Sequence, residues 1–248
     1  MGKKLLRAAL PALFWLGVWA LAAAAVGREL LLPTPWAVAA ALGQLVQTAD
    51  FWHSVLASLV RVMEGFLAGS LLGVLLGAAT AAWGWCDRLF SPALRAVRTV
   101  PVVSFILLLF FWLPKDRVPG AVSTLMALPV VWRSARQGIA AADPQLLELA
   151  GHYGLGWGSR ARLVYLPALM PALAAGLETA LGLCWKSGIA AEVLCQPKWA
   201  AGTMLQISKA YLDAPGLFAW TAVVVVLSLA LEWLLKALLK PWRGGEGA

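Results

Sequence analysis

Three ionisable side chains, Glu178, Lys186 and Glu192, lie in a single apolar stretch that runs from about residue 168 to 194. If this stretch crosses a membrane, each charge must face protein, water or solute, because an ionisable group in lipid is costly. Lys186 stands eight residues after Glu178 and six before Glu192, and neither spacing places a carboxylate beside the ammonium on a helix. We therefore interpret the three residues as candidates for a solute pathway, with salt bridges to other helices as the alternative.

Other residues capable of chemistry are scattered along the chain. His53 and His152 are far apart in the sequence, without a metal-ligand spacing around them. The three cysteines suggest neither a metal site nor a redox pair: Cys86, Cys184 and Cys195. The run 185–187, Trp-Lys-Ser, lacks the glycines of a phosphate-binding loop. We expect no metal site, no cofactor and no catalytic site in this chain, so that any ATP must be bound by another subunit.

The composition indicates a membrane protein. Hydrophobic residues make up 61% of the chain and charged residues 13%, about half of the roughly 25% that is typical of soluble domains. Apolar stretches recur that reach the about 20 residues needed to cross a bilayer. The net charge of +8 could suggest nucleic-acid binding, but most Lys and Arg residues fall on one predicted side of the membrane, as expected of the cytoplasmic side. We expect membrane lipid around the chain and no nucleic acid.

Six apolar segments predict an all-α integral membrane protein with about six transmembrane helices. They cover about residues 7–26, 58–83, 97–113, 120–134, 168–194 and 218–239. The basic residues put both termini in the cytoplasm, so the segment between the fourth and fifth helices is cytoplasmic as well. The predicted organisation is a first helix with an outer connecting segment (1–53), a transmembrane domain (54–240) and a cytoplasmic tail (241–248).

Two shorter connections complete this topology. A short inner link is predicted around Asp87 and Arg88, between the second and third helices. An outer loop that contains Pro197 and Pro215 is predicted between the last two helices.

The second predicted helix carries glycines at four-residue intervals: Gly65, Gly69, Gly73 and Gly77. This spacing puts them on one ridge, where another helix can approach closely. Tight packing within one subunit and an interface between subunits both fit the pattern. On the same helix, Arg61 and Glu64 are three residues apart, which predicts a local ion pair.

The segment between the fourth and fifth helices has its own helix signals. Asp143 followed by Pro144 predicts a helix start, and Gly154 predicts its end. A second short helix is predicted after Gly156, ending at Pro167. Two short helices with a glycine bend are therefore expected to project from the membrane on the cytoplasmic side.

This segment resembles the coupling loop in permease subunits of binding-protein-dependent ABC importers. That loop reads Glu-Ala-Ala, three residues, Gly, nine residues, Ile, one residue, Leu-Pro. The matching residues keep every spacing: Glu148, Ala150, Gly154, Val164, Leu166 and Pro167. Leu149 replaces the middle Ala and Val164 replaces Ile, apolar for apolar. Over about residues 54–240 the chain is similar to the nitrate, sulfonate and taurine branch, although residues 102–132 depart from the sulfonate-type pattern.

The resemblance implies a permease of the bacterial inner membrane. Two permease copies, as a homodimer, would form the pathway, cytoplasmic ATP-binding subunits would bind the 148–167 loops, and an extracytoplasmic solute-binding protein would deliver the solute. Closure of the ATPase pair on ATP would move the loops and switch the access of the pathway.

The solute remains open among nitrate, sulfonates, taurine and vitamin-precursor-like molecules, and Lys186 favours an anion. A passive channel, a membrane scaffold and an intramembrane enzyme are the alternative functions. Co-purification of an ATPase would separate the importer from all three.

Overall fold

The computed structural model describes residues 2–242, with side chains from residue 10 onward except at position 12. Within this range the structure is all-helical and contains no strand. The α-helices are α1 (Gly2–Val26), α2 (Pro35–Leu45), α3 (Ala49–Ala82), α4 (Gly84–Thr99), α5 (Val102–Trp112), α6 (Val118–Ala140), α7 (Pro144–His152), α8 (Trp157–Arg160), α9 (Leu166–Cys195), α10 (Ala201–Ala210) and α11 (Ala214–Leu239). A π turn (Ala161–Tyr165) joins α8 to α9, and a 3₁₀ turn (Lys240–Trp242) follows α11. The predicted cytoplasmic tail lies, from residue 243 on, outside the described residues.

Helices α3, α6 and α9 pack together at the centre of the fold. The main apolar core takes Val62 from α3, Val131 from α6 and Trp185 from α9, all of them buried. Trp185 donates a hydrogen bond of 3.0 Å from Nε1 to the carbonyl oxygen of Val224, which ties α9 to α11. A second, smaller apolar cluster around Ile106 attaches α5 to α6 and α9. The core therefore joins helices that are far apart in the sequence.

The glycine ridge of α3 packs against α6 inside the subunit. A Cβ atom at Gly69 would lie 2.5 Å from the carbonyl oxygen of Thr124, and one at Gly73 would lie 2.9 Å from that of Leu128. Gly65 and Gly77 also face α6, on either side of these two. Because glycine has no side chain, the two backbones touch, and close packing of this kind holds helices together in lipid. Of the two arrangements that fit the sequence, the structure contains the contact within one subunit.

Three helical stretches in the described part of the chain are long and apolar enough to span a membrane: Ala49–Ala82, Trp157–Cys195 and Ala214–Trp242. The pair α4 and α5 is apolar enough when taken together, but it bends by 105° and forms either a broken span or a re-entrant loop. Helix α1 adds a shorter apolar stretch, Leu13–Val26. The prediction of an all-α membrane protein is confirmed, and the number of six spans stays a prediction.

The bend between α4 and α5 replaces the predicted inner link. Asp87 and Arg88 are helical and belong to α4. The carboxylate of Asp87 accepts hydrogen bonds from the Ser91 hydroxyl and, at 2.9 Å, from Arg136, so its charge is compensated without a loop. The chain leaves the helical conformation at Trp83, which is extended between α3 and α4, and again before α5 at Pro101, because the residue before a proline avoids the helical conformation.

Two helices lie in segments that were predicted only as an outer connecting segment and an outer loop. Helix α2 occupies the outer connecting segment, where Thr34 accepts a hydrogen bond of 3.3 Å from the backbone N–H of Ala37 and Pro35 opens the helix. Helix α10 occupies the predicted outer loop between Pro197 and Pro215, and both prolines lie outside it. These short helices were not predicted, because the polar residues and prolines around them are typical of loops.

Candidate functional site

The segment between α6 and α9 begins with α7. Asp143 caps this helix, since its carboxylate accepts a hydrogen bond of 2.8 Å from the backbone N–H of Gln145. Pro144 follows in the first turn, where its missing N–H leaves no helical hydrogen bond unmade. The helix therefore begins at the predicted residue.

Helix α7 ends in a cap that depends on glycine. Gly154 has φ +64°, which is unfavourable for residues with a side chain. The N–H groups of Gly154 and Leu155 donate to the carbonyl oxygens of Gly151 at 3.0 Å and Ala150 at 2.9 Å, the pairing of a Schellman motif. Arg160 then donates from Nε to the carbonyl oxygen of Leu155 at 2.9 Å. The bend between α7 and α8 is thus fixed by a defined set of hydrogen bonds.

One face of α7 is buried and the other is exposed. Ala150 is 4% exposed, whereas Glu148 is exposed at the surface. Large apolar side chains of the same segment are also exposed: Leu146 (48%), Leu149 (53%), Tyr153 (77%) and Trp157 (72%). An exposed apolar patch with a carboxylate among its members is typical of a surface that binds another protein.

The second short helix predicted in this segment is not a separate element. Helix α8, the π turn and α9 form one helical stretch, Trp157–Cys195, which continues through Pro167. The ring of Pro167 would crowd the carbonyl of Leu163, four residues earlier, in a regular α-helix. The π turn, which is wider than an α turn, lies at that position and relieves the conflict. Within the stretch Val164 is buried, while Leu166 and Pro167 are exposed.

Glu192 is fully buried near the carboxyl end of α9. Its Oε2 accepts hydrogen bonds from the Ser58 hydroxyl at 2.7 Å and from the backbone N–H of Gly202 at 3.1 Å. Its Oε1 lies 3.5 Å from Nη1 of Arg61. For Glu192 the structure thus contains the salt bridge to another helix that the sequence left open. The carboxylate joins α3, α9 and α10.

The predicted local pair of Arg61 with Glu64 is wrong, because the guanidinium of Arg61 binds other groups. It donates to the carbonyl oxygens of Trp199 at 2.8 Å and Lys198 at 2.9 Å. Its Nη2 lies 3.7 Å from Asp116, in the turn before α6. Trp199 has φ +54°, so Arg61 holds a strained stretch of the loop after α9. One side chain therefore connects α3, α9 and two loops.

Lys186 belongs to a stripe of exposed residues on α9. The members recur every three or four positions: Ala175, Thr179, Leu183, Lys186 and Ala190. The first three line a groove of about 640 Å³ between α9, α6 and the bend of α4 and α5. Glu178 is half-buried and has an interaction partner of its own, and its position is off this stripe. Lys186 therefore lies on the same exposed face of α9 as the three groove-lining residues but does not itself line the groove, and Glu178 and Glu192 lie off this face.

A group of arginines at one end of this groove was not predicted as a site. Arg95 and Arg98 from α4 and Arg133 and Arg136 from α6 line a cavity of about 350 Å³. Arg98 and Arg133 also line the larger groove, so the two spaces adjoin. The available signal was the three-residue spacing within each pair, which puts both arginines on one face of a helix. In the sequence these residues had counted only toward the charge asymmetry.

The histidines and cysteines form no centre. Among the described residues there is no group of three or more His, Cys, Asp or Glu side chains that could hold a metal ion. The ring of His53 packs edge-on against Trp199, with 5.3 Å between centroids, while His152 is exposed at the end of α7. All three cysteines are buried as free thiols.

Comparisons with known proteins find similar membrane transport proteins. The family model described as "Binding-protein-dependent transport system inner membrane component" matches residues 69–243. The chain is 27% identical to the taurine transport system permease protein TauC of Escherichia coli K12, over 91% of this chain and 85% of that protein. It is 32% identical to the putative aliphatic sulfonates transport permease protein SsuC of the same organism, over 71% and 68%. A chain of the inward-facing MetNI methionine ABC transporter has the same fold, with a TM-score of 0.60, 16% identity and coverage of 77% and 93%.

Proposed function

The chain belongs to the family of inner-membrane components of binding-protein-dependent transport systems, and within it we propose the permease of an ATP-driven importer for a small anionic solute. The family consists of transport components and not of enzymes. The observation that carries the proposal is the exposed surface of α7, which presents apolar side chains beside Glu148. In the chain, α7 stands between the core helices α6 and α9. Such a surface suits a partner that moves those two helices.

The first partner that we propose is a cytoplasmic ATP-binding subunit. It would receive Leu146, Leu149 and Tyr153 of α7 in an apolar groove and would offer cationic or N–H groups to Glu148. Only residues 141–143 separate α6 from α7, and α7 joins α9 through the fixed bend at Gly154 and a continuous helix. A displacement of α7 would therefore reach the core as a rigid-body movement. ATP would be bound by this partner, and the permease itself would need no cofactor.

The remaining partners follow from the same proposal. A second copy of the permease would face the groove along α9, which is open to one side in a single chain, and would complete a pathway between the copies. An extracytoplasmic solute-binding protein would deliver the solute to the extracytoplasmic end of this pathway. The chain would lie in the bacterial inner membrane with both termini in the cytoplasm. The division into 1–53, 54–240 and 241–248 belongs to this proposal as well.

An anionic solute is supported by the charge along the groove. Arg98 and Arg133 line the groove, and no Asp or Glu is among the described residues that line it. Lys186 lies on the exposed face of α9 that three groove-lining residues share. The names of two relatives refer to taurine and to aliphatic sulfonates, which favours a sulfonate-like solute here.

Mild extraction of the tagged permease tests the proposal. An ATP-binding subunit should co-purify with the wild-type chain. A variant with Leu149→Ser and Tyr153→Ser should lose this subunit, because the apolar contact surface is removed. The variant should still fold, because both side chains are exposed and contribute little to the fold. Vesicles that contain the complex and the binding protein should take up labelled taurine or an alkanesulfonate only with ATP. Uptake without ATP would indicate a passive channel, and retention of the ATPase by the variant would contradict the role of α7.

A further inference from the structure

The arginine-lined cavity is the feature of the groove that membrane orientation does not explain. A cytoplasmic excess of basic residues accounts for arginines on one side of the membrane, but it does not require four of them around one cavity of about 350 Å³. Within the described residues, no Asp or Glu lines this cavity or the groove beside it. The carboxylate of Asp87 compensates one member at the edge, since it lies 2.9 Å from Arg136. The cavity therefore keeps a strong positive charge.

Two of the arginines are shared between the cavity and the groove. Arg98 comes from α4 and Arg133 from α6, and both side chains are exposed. A guanidinium presents its N–H groups as a planar fork, which matches two oxygens of a sulfonate or phosphate group. An oxyanion held by this pair would bridge two helices of the fold.

The groove beside the arginines is amphiphilic. Gln137 and Ser134 supply further polar groups next to Arg133. Further along, the lining is apolar and includes Val97, Val102, Met126 and Leu183. A volume of about 640 Å³ lies within the range of pockets for small organic ligands. A ligand with an oxyanion at one end and an apolar body would therefore meet a matching surface at both ends.

We propose that Arg98 and Arg133 form a binding site for the sulfonate or phosphate group of an organic anion at this end of the groove. As a site for the transported solute, it rests on the proposed function. The same chemistry would bind the phosphate of an anionic lipid headgroup, so the experiment must distinguish the two sources.

The test measures binding in the absence of transport. The full-length permease is placed in nanodiscs of phosphatidylcholine, and equilibrium binding of radiolabelled butanesulfonate is measured. Arg98→Gln and Arg133→Gln should each weaken binding about tenfold, which is the effect of one lost hydrogen-bonded charge. Arg88→Gln is the matched control, since Arg88 is an exposed arginine of α4 that lines neither space, and its affinity should equal that of the wild type. Wild-type affinity in the double variant would overturn the site.

A second arm identifies the source of the oxyanion. In nanodiscs that also contain phosphatidylglycerol, a lipid ligand should compete with butanesulfonate, and native mass spectrometry should find the lipid retained by the wild type and by Arg88→Gln but lost from the double variant. A solute ligand should bind equally well with and without this lipid. Either result supports the oxyanion site, whereas binding of neither ligand by the wild type overturns it.

If the glutamine variants fail to assemble, variants that keep the positive charge at both positions still test the site. Arg98→Lys with Arg133→Lys retains both cations but loses the two forks, so we expect about tenfold weaker binding, and wild-type affinity would overturn the bidentate site. ATP-dependent uptake decides the proposed function separately. Absent uptake with intact butanesulfonate binding contradicts the transport proposal alone, and uptake with binding that does not depend on the two arginines contradicts the site alone.

Discussion

Ser58 on α3 donates a hydrogen bond of 2.7 Å to Oε2 of Glu192 on α9, although the two residues are 134 positions apart. The same two side chains cap α10, which has no capping side chain of its own at Ala200. The backbone N–H of Ala201 donates to the Ser58 hydroxyl at 2.9 Å, and that of Gly202 donates to Glu192 at 3.1 Å. Side chains from two core helices thus satisfy the first N–H groups of a third helix, and the carboxylate lies at its positive end.

Removal of the charge at Glu192 should destabilise the protein. Glu192→Gln leaves Arg61 without its buried partner and replaces one acceptor by an amide N–H₂ group, for which we expect a loss of about 3 kcal/mol. Thermal unfolding in detergent, followed by size-exclusion chromatography, measures the effect. Glu64→Gln is the matched control, because Glu64 is exposed on α3, and should change stability by less than about 0.5 kcal/mol. Equal melting temperatures for the two variants would contradict the structural role of Glu192.

For the glycine ridge we predict that a Gly→Ala substitution lowers the stability of the protein, whereas the same substitution outside the ridge raises it. Gly69→Ala would push a methyl group to 2.5 Å from the Thr124 carbonyl oxygen and should cost about 1–3 kcal/mol through separation of α3 and α6. Gly43→Ala on α2 meets no atom within 4 Å and should raise stability by up to about 1 kcal/mol through helix propensity. The same unfolding assay compares them. Equal effects of the two substitutions would show that the ridge is not tightly packed.

Local signals in the sequence predicted the start and end of α7 correctly. Asp143 and Pro144 act within the first turn, and Gly154 acts through its own φ angle, so each needs only its neighbours in the chain. The membrane character was equally accessible, because it depends on composition and on the length of apolar stretches.

Tertiary contacts account for what the sequence did not predict. The three-residue spacing of Arg61 and Glu64 favours a local pair, but such a pair contributes only about 0.2–0.5 kcal/mol on a helix surface. Buried Glu192 and two backbone carbonyls offer Arg61 stronger partners, and they lie 131 or more residues away in the sequence. The convergence of Arg98 and Arg133 likewise depends on how α4 packs beside α6, which no local pattern contains.

Substitution of Gly154 should impair coupling without unfolding the membrane domain. A Cβ at this position would meet no atom within 4 Å, so the cost of Gly154→Leu comes from φ +64° and amounts to about 1–2 kcal/mol. The bend should open, and ATPase retention or solute-stimulated hydrolysis should fall several-fold. Gly154→Asn is the control, because asparagine tolerates the left-handed conformation. Equal loss in both variants would assign the effect to something other than the backbone angle.

Cysteine labelling from outside intact cells tests the predicted topology. Pro197 is fully buried and unsuitable for a label, so the exposed neighbour Lys198 serves in its place, together with exposed Ser159 near α8. The three native cysteines are buried and should give little background. An impermeant maleimide should modify Lys198→Cys and spare Ser159→Cys until the membrane is opened. The reverse pattern would contradict a cytoplasmic α7 and cytoplasmic termini.

Lys186 provides the sharpest test of the anionic pathway. An unpaired ammonium at the centre of a spanning helix costs about 2.5–3.5 kcal/mol, so its presence on the exposed stripe of α9 needs water, a solute or a partner chain beside it. Lys186→Met keeps the apolar stem and removes the charge. If the ammonium meets the solute, ATP-dependent uptake of an alkanesulfonate should fall about tenfold, and Lys186→Arg should restore most of it. Lys209→Met, at an exposed position on α10 outside the groove, is the matched control and should transport normally. Normal uptake by Lys186→Met would exclude the pathway role. Loss of assembly in that variant alone would show that Lys186 is a structural ion-pair partner, because the methionine would then have broken a contact between helices and not a contact with the solute.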